Sequence, residues 1–312
     1  MTPPESDSDP LERIAYALER IARALEAHIR PTAQTDDAPA APPPAPPVVT
    51  PQTLLDFLAS RGVRPRDDPP QMASSQDEGV PDLDDLAALI GDRWANTRAL
   101  VEAVKQRLGS GEPFALNLRG QPPALISDAC AVAGRAHGLS LLEEYRYRRS
   151  PAFRLEARPS RVPLSQRFWA GGWLERWARQ SALRVAAQLR PDAPCAWVAN
   201  LPVLLPNGEA SEIDLLIAVG AVVIWVECKT GDYQEHLDKY SRLRRVLNLP
   251  SERAIVVLAD PHAPHRALSA LYGLTVCGLE DFAARATLAL AENEKSPPRV
   301  DAGNGKVLDR AG

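Results

Sequence analysis

Cysteine is scarce in this 312-residue chain and does not cluster: Cys130, Cys195, Cys228 and Cys277 lie far apart, with no C-x-x-C pair. That disfavours a dense disulfide scaffold or a cysteine-built zinc site, and a reduced, cytoplasmic setting is the simpler expectation. No apolar run reaches the length of a bilayer span, and the opening MTPPESDSDP lacks both the basic and the apolar segments of a signal peptide. Neither membrane insertion nor secretion is expected. Walker loops, G-x-G-x-x-G and G-x-S-x-G are missing as well, so P-loop hydrolysis, dinucleotide binding and serine-hydrolase chemistry have no support.

What is present fits a globular protein with extensions, since 45% of the residues are hydrophobic. The formal net charge of -4 conceals an asymmetry. Residues 1 to 90 carry 16 acidic and 7 basic side chains, leaving 24 acidic against 29 basic for the remainder. The C-terminal two thirds can therefore meet a polyanion.

Residues 1–30 read as an amphipathic, coiled-coil-like helix. Leu11, Ile14, Leu18, Ile21 and Leu25 recur at steps of three and four, the seam through which a homo-oligomer would assemble. Residues 31–82 are proline-rich and read as a largely disordered linker, with QTLLDFLAS the one stretch of helical pattern inside it. Residues 83–161 read as a small α+β module, residues 162–293 as a second α/β domain, and residues 294–312 as a flexible tail. The elements of the second domain run α-β-β-β-α-β, which implies a mixed central sheet flanked by helices.

The small module holds an arginine-rich hairpin, with Arg146, Arg148, Arg149, Arg154, Arg158 and Arg161 inside 16 positions. Alternation along a strand places several of them on one exposed face, a candidate nucleic-acid contact. A solvated face paired with Glu143, Glu144 and Glu156 accounts for them equally well. Trp169, Trp173 and Trp177 recur along one helical stripe and read as core, and His262 and His265 lack the further ligands of a metal site.

The chemistry concentrates in SEIDLLIAVGAVVIWVECKTG, residues 211 to 231. Gly220-Ala221 fits a two-residue hairpin turn with glycine first. Pairing Val219 with Val222 then sets Asp214 opposite Glu227 and Glu212 opposite Lys229, all four on one face. Opposed Cβ atoms stand about 5 Å apart, where two carboxylates repel unless a cation joins them. A hard ion such as Mg²⁺ would accept Asp214 and Glu227 as ligands, with a backbone carbonyl such as that of Cys228, keeping waters and phosphate oxygens. Lys229 is placed to orient a water or to stabilise an anionic phosphorane. Cys228 itself points to the opposite, apolar face.

Asp214 followed by Glu227-Cys228-Lys229, within elements of this order, resembles the PD-(D/E)XK nuclease superfamily. The helix GGWLERW followed by these strands is most similar to the nuclease domain of ancillary effectors of type III CRISPR systems. The resemblance implies an Mg²⁺- or Mn²⁺-dependent endonuclease of DNA or RNA, DNA being favoured, in defence, repair or mobile-element biology. It implies catalytic roles for Asp214, Glu227 and Lys229, with Glu175 from the preceding helix assisting the metal site. Glu212, Gln234, Tyr240 and Arg242 are implied to line the cleft. Those effectors also carry a cyclic-oligoadenylate sensor, for which residues 83–161 are too few. The competing expectation is a catalytically silent, oligomeric nucleic-acid-binding protein that keeps the fold.

Overall fold

The computed structural model describes residues 49–66 and 81–291, all within one compact unit. The coiled-coil seam expected in residues 1–30 and the tail expected at 294–312 lie outside the described residues. The chain begins with helix α1 (Pro51–Ala59) and the two-residue strand β1 (Arg64–Pro65). Helices α2 (Pro81–Asp92) and α3 (Trp94–Arg107), strand β2 (Phe114–Asn117), helix α4 (Pro123–Gly138) and the hairpin β3 (Leu142–Arg148) and β4 (Arg154–Pro159) follow. A short helix α5 (Pro163–Arg167) and a π turn (Phe168–Gly172) lead into helix α6 (Trp173–Leu189) and strands β5 (Cys195–Leu204), β6 (Ala210–Val219) and β7 (Val222–Lys229). Helix α7 (Leu237–Val246), strand β8 (Ala254–Leu258), helix α8 (His265–Tyr272), strand β9 (Thr275–Cys277) and helix α9 (Leu279–Ala291) complete the order.

The fold is mixed α/β, as the element order implies. Six strands form the main sheet in the order β1-β5-β6-β7-β8-β9, antiparallel from β1 to β7 and parallel from β7 to β9. A second sheet has the order β2-β4-β3. The central strands are covered on both faces, which is why they read as continuous apolar runs. Leu215, Ile217, Ile224 and Val226 face α6 and the turn before it, where Trp173 and Trp177 of the helix and Trp169 of the turn are core residues, while Leu216, Ala218 and Trp225 face α1 and α7.

Two boundaries differ from the sequence reading. Within the expected linker, residues 51 to 59 form α1, with Pro51 in its first turn and Thr50 and Thr53 capping it. Its Leu54 and Leu58, four residues apart, are fully buried, and β1 extends the main sheet by pairing Arg64 with Leu204. A nine-residue helix is marginal alone and is held by this packing, which proline-rich flanks do not reveal. Leu58→Ala is accordingly expected to cost about 2–5 kcal/mol, measured as a lower urea midpoint. An unchanged midpoint would show that α1 adds nothing to the fold.

Nor is residue 161 a packing boundary. One continuous core runs from Leu83 in α2 through α6 to Leu290 in α9. Asp84 of α2 accepts from Arg179 at 2.9 Å through both oxygens and from Arg176 at 2.7 Å, both on α6. Asp92 accepts from the Trp177 indole at 2.8 Å. The module and the larger sheet share one interior, which pattern reading along the chain cannot detect because the partners lie about ninety residues apart.

Candidate active site at the split end of two strands

The β6–β7 hairpin turns at Gly220, whose φ of 57° belongs to the left-handed region that glycine enters without strain. Val219 pairs with Val222, Ile217 with Ile224 and Leu215 with Val226. There the ladder stops. Asn200 on β5 has φ 48°, and beyond it both β5 and β6 roll: Ile213 faces the α1 and α7 side although Leu215 faces α6. On its other edge β7 pairs in parallel with β8 from Trp225 onward and continues to do so past the end of the β6 ladder, setting Glu227 beside Val256 and Lys229 beside Leu258. Strands β6 and β7 therefore part between Asp214 and Cys228.

The Asp214 carboxylate fills this split, accepting the Cys228 backbone N–H at 2.9 Å through Oδ2. On a strand the carbonyl of a residue lies on the same edge as its N–H, so the Cys228 carbonyl also faces the gap. Lys229 Nζ donates to Glu227 Oε1 at 3.0 Å and stands 3.5 Å from Asp214 Oδ2. This departs from the expected register. Lys229 is tied to Asp214 and Glu227, whereas Glu212 is exposed and its backbone pairs with Pro202 on β5. The register expected for Glu212 opposite Lys229 required the ladder to continue past the split.

Asp214 is 6% exposed and Glu227 3%, so two buried carboxylates share one half-buried ammonium. Burial, then the charge of Asp214, raises the Glu227 pKa to about 8, although Lys229 and the Tyr240 hydroxyl favour its ionised form. Burial followed by Asp214 and Glu212 raises Glu175 to about 7, which places this α6 carboxyl in the same electrostatic cluster. Burial alone would lower the Lys229 pKa, but Glu227 and Asp214 outweigh it and hold the ammonium above its ordinary value. Tyr240 from α7 has its ring 5.4 Å from Lys229 Nζ, and its own pKa is raised by burial and by Glu227. Cys228 turns into the apolar face, where burial pushes its thiol well up.

Two features bear on whether a cation fits here. Glu227 Oε2 is buried with no hydrogen-bond partner, an uncompensated acceptor in the site. Among the described residues no three His, Cys, Asp or Glu side chains converge as a cage. That disfavours zinc but suits a hard cation, which takes one or two carboxylates and otherwise waters and phosphate oxygens. Asp214, Glu227 and the Cys228 carbonyl form such an oxygen set.

The remaining residues named from the sequence lie elsewhere. Gln234 and Arg242 are exposed on the segment after β7 and on α7. Arg146, Arg148 and Arg154 project from the outer face of the second sheet, and Arg149 from its loop. On that face Glu156 pairs with Arg148 at 3.2 Å and Arg154 at 3.0 Å, and Glu144 pairs with Arg158 at 3.2 Å. Arginine still outnumbers glutamate there. Lys105 and Thr230, which sequence reasoning did not single out, meet at the end of β7, with Nζ 2.8 Å from both Thr230 oxygens.

No protein-family model matches the sequence, and no curated protein matches it. Solved structures are similar to it, among them the following two. One is the crystal structure of protein VC1899 from Vibrio cholerae, at 19% identity and a TM-score of 0.49, covering 76% of this chain and 60% of that one. The other is Can2 from Sulfobacillus thermosulfidooxidans in complex with cyclic tetra-adenylate, at 12% identity and a TM-score of 0.48, again covering 76% and 60%. The chain thus spans less than two thirds of the length of either. No helix among the described residues is long and apolar enough to cross a membrane.

Proposed function

We propose that the chain is a metal-dependent nuclease that hydrolyses phosphodiester bonds of nucleic acid, DNA ahead of RNA, in defence, repair or a mobile element. The observation that carries this reading is the split of β6 from β7, filled by two buried carboxylates, one inward lysine and an acceptor with no partner. A structural ion pair has no need of a second buried carboxylate, and burying one uncompensated is costly.

Asp214, Glu227 and the Cys228 carbonyl would hold Mg²⁺ or Mn²⁺. Such an ion, when bound, polarises the phosphodiester and lowers the pKa of the attacking water. Lys229 is held charged by its two carboxylates, so it acts as a fixed donor rather than a base. Its N–H groups can orient the water and stabilise the charge that develops on phosphate oxygens. Tyr240 keeps Lys229 and Glu227 in place from the α7 side, and Glu175 adds a carboxyl from the α6 side. The arginine face of the second sheet supplies positive charge for backbone phosphates.

Incubation with plasmid, linear and single-stranded DNA and with RNA, in Mg²⁺ or Mn²⁺, is expected to show cleavage that stops with chelator. Lys229→Ala should lower the rate on the order of 10²–10³-fold, the scale for losing one preorganised donor. A gel shift with no cleavage in any divalent metal would favour a silent binding protein instead.

A further inference from the structure

Lys105 stands near the C-terminal end of α3, 125 residues from Thr230, yet its ammonium donates to the Thr230 carbonyl and hydroxyl at 2.8 Å each. Both acceptors are neutral. An ammonium has three donors, and among the described residues no carboxylate pairs with this one. A half-buried cation without a counter-ion is an expensive arrangement unless an anion arrives.

Its position says which anion. Thr230 directly follows Lys229, and its hydroxyl donates to the Ala170 carbonyl at 2.7 Å, in the turn that leads into the Glu175 helix. The next residue is Gly231, where a Cβ would stand only 3.2 Å from Lys105 Nζ. Gly231 and Asp232 are exposed, so the ammonium lies under an open loop at the mouth of the split.

We infer that Lys105 is a phosphate-binding residue of the site, contributed by the N-terminal helices and contacting a backbone phosphate next to the one attacked. The inference rests on the nuclease reading above. Its alternative is a purely structural tie between α3 and the end of β7, and the two differ in what salt does to binding.

The test uses the full chain carrying Glu227→Gln to stop cleavage, with a short fluorescein-labelled DNA duplex followed by anisotropy across a NaCl series. Each phosphate contact contributes about 0.9 to the slope of log K against log salt on a duplex and about 0.7 on a single strand. Adding Lys105→Met is expected to reduce the slope by one such contact and to weaken binding several-fold. Lys105→Arg should restore both, and Thr230→Val, which removes the hydroxyl's bonds to Lys105 and to the Ala170 carbonyl but keeps the Thr230 carbonyl as acceptor, should retain them. In the cleaving enzyme Lys105→Met should raise KM more than it lowers kcat. An unchanged slope in Lys105→Met, or an equal slope loss in Thr230→Val, would overturn the inference and leave a tie. If the parent chain binds no nucleic acid at any salt, the nuclease reading falls together with it. A wild-type chain that cleaves, with Lys105→Met leaving the slope intact in the Glu227→Gln background, removes this inference alone.

Discussion

Glu227→Gln is expected to stop cleavage and, in chelator, to make the protein more stable than the wild type. The ordinary glutamate pKa is 4.5, and burial with the charge of Asp214 raises this one to about 8. Below about pH 4.5 the folded and unfolded chains both hold the proton, and the group costs nothing. Between that pH and about 8 the unfolded chain releases its proton while the folded chain keeps it, so stability falls as pH rises. Glutamine keeps the shape and an acceptor for Lys229 but cannot ionise. The mutant should therefore melt above the wild type by a margin that opens across that window. About 1–2 kcal/mol is a typical gain for relieving such a site, or several degrees for a domain of this size. On the proposed function, in which Glu227 would hold the metal ion, cleavage should drop on the order of 10³-fold. Thermal melts over a pH series, paired with the plasmid assay, read both effects. A mutant less stable than the wild type at pH 8 would mean the carboxylate is compensated, and one that still cleaves would remove Glu227 from the site.

Asp214 separates two roles that one substitution would confuse. Its Oδ2 accepts the Cys228 N–H at 2.9 Å, a buried bond where the β6–β7 ladder has ended. Asp214→Val matches the apolar strand around it but leaves that N–H with no acceptor, at a cost of about 1–3 kcal/mol. Asp214→Asn can keep the bond through its amide oxygen while losing the charge. Both are expected to lose cleavage, again on the order of 10²–10³-fold or more. Only the valine variant should also unfold at lower urea. Equal stability of the two would place the Cys228 N–H on some other acceptor, and cleavage by the asparagine variant would show that the charge is not needed.

How far the sequence reveals the site depends on how local each cause is. Gly220-Ala221 sets the hairpin, and alternation places Leu215 against Val226 and Ile217 against Ile224 as the ladder shows. The split beyond is not local. It goes with the roll at Asn200 on β5, while β7 is held on its other edge by β8, neither of which a two-strand pattern contains. Extending the hairpin register past Leu215 therefore sets Glu212, rather than Asp214, against Lys229. Trp173 and Trp177 read correctly as core, and QTLLDFLAS as helical in pattern, because helical spacing is local, whereas the packing of α1 against the sheet is not. Lys105 shows the limit most clearly: nothing within α3 marks a lysine that meets a threonine 125 residues later.

A bound cation is the element of the proposed function on which cleavage and the proposed roles of Glu227 and Lys229 depend. Crystals soaked in Mn²⁺ and measured at the manganese absorption edge examine it directly. The expected result is an anomalous peak bound by Asp214 and Glu227 and absent in Glu227→Gln crystals. Well-ordered wild-type crystals that show no peak there, with Lys229 still spanning both carboxylates, would contradict a metal-dependent site.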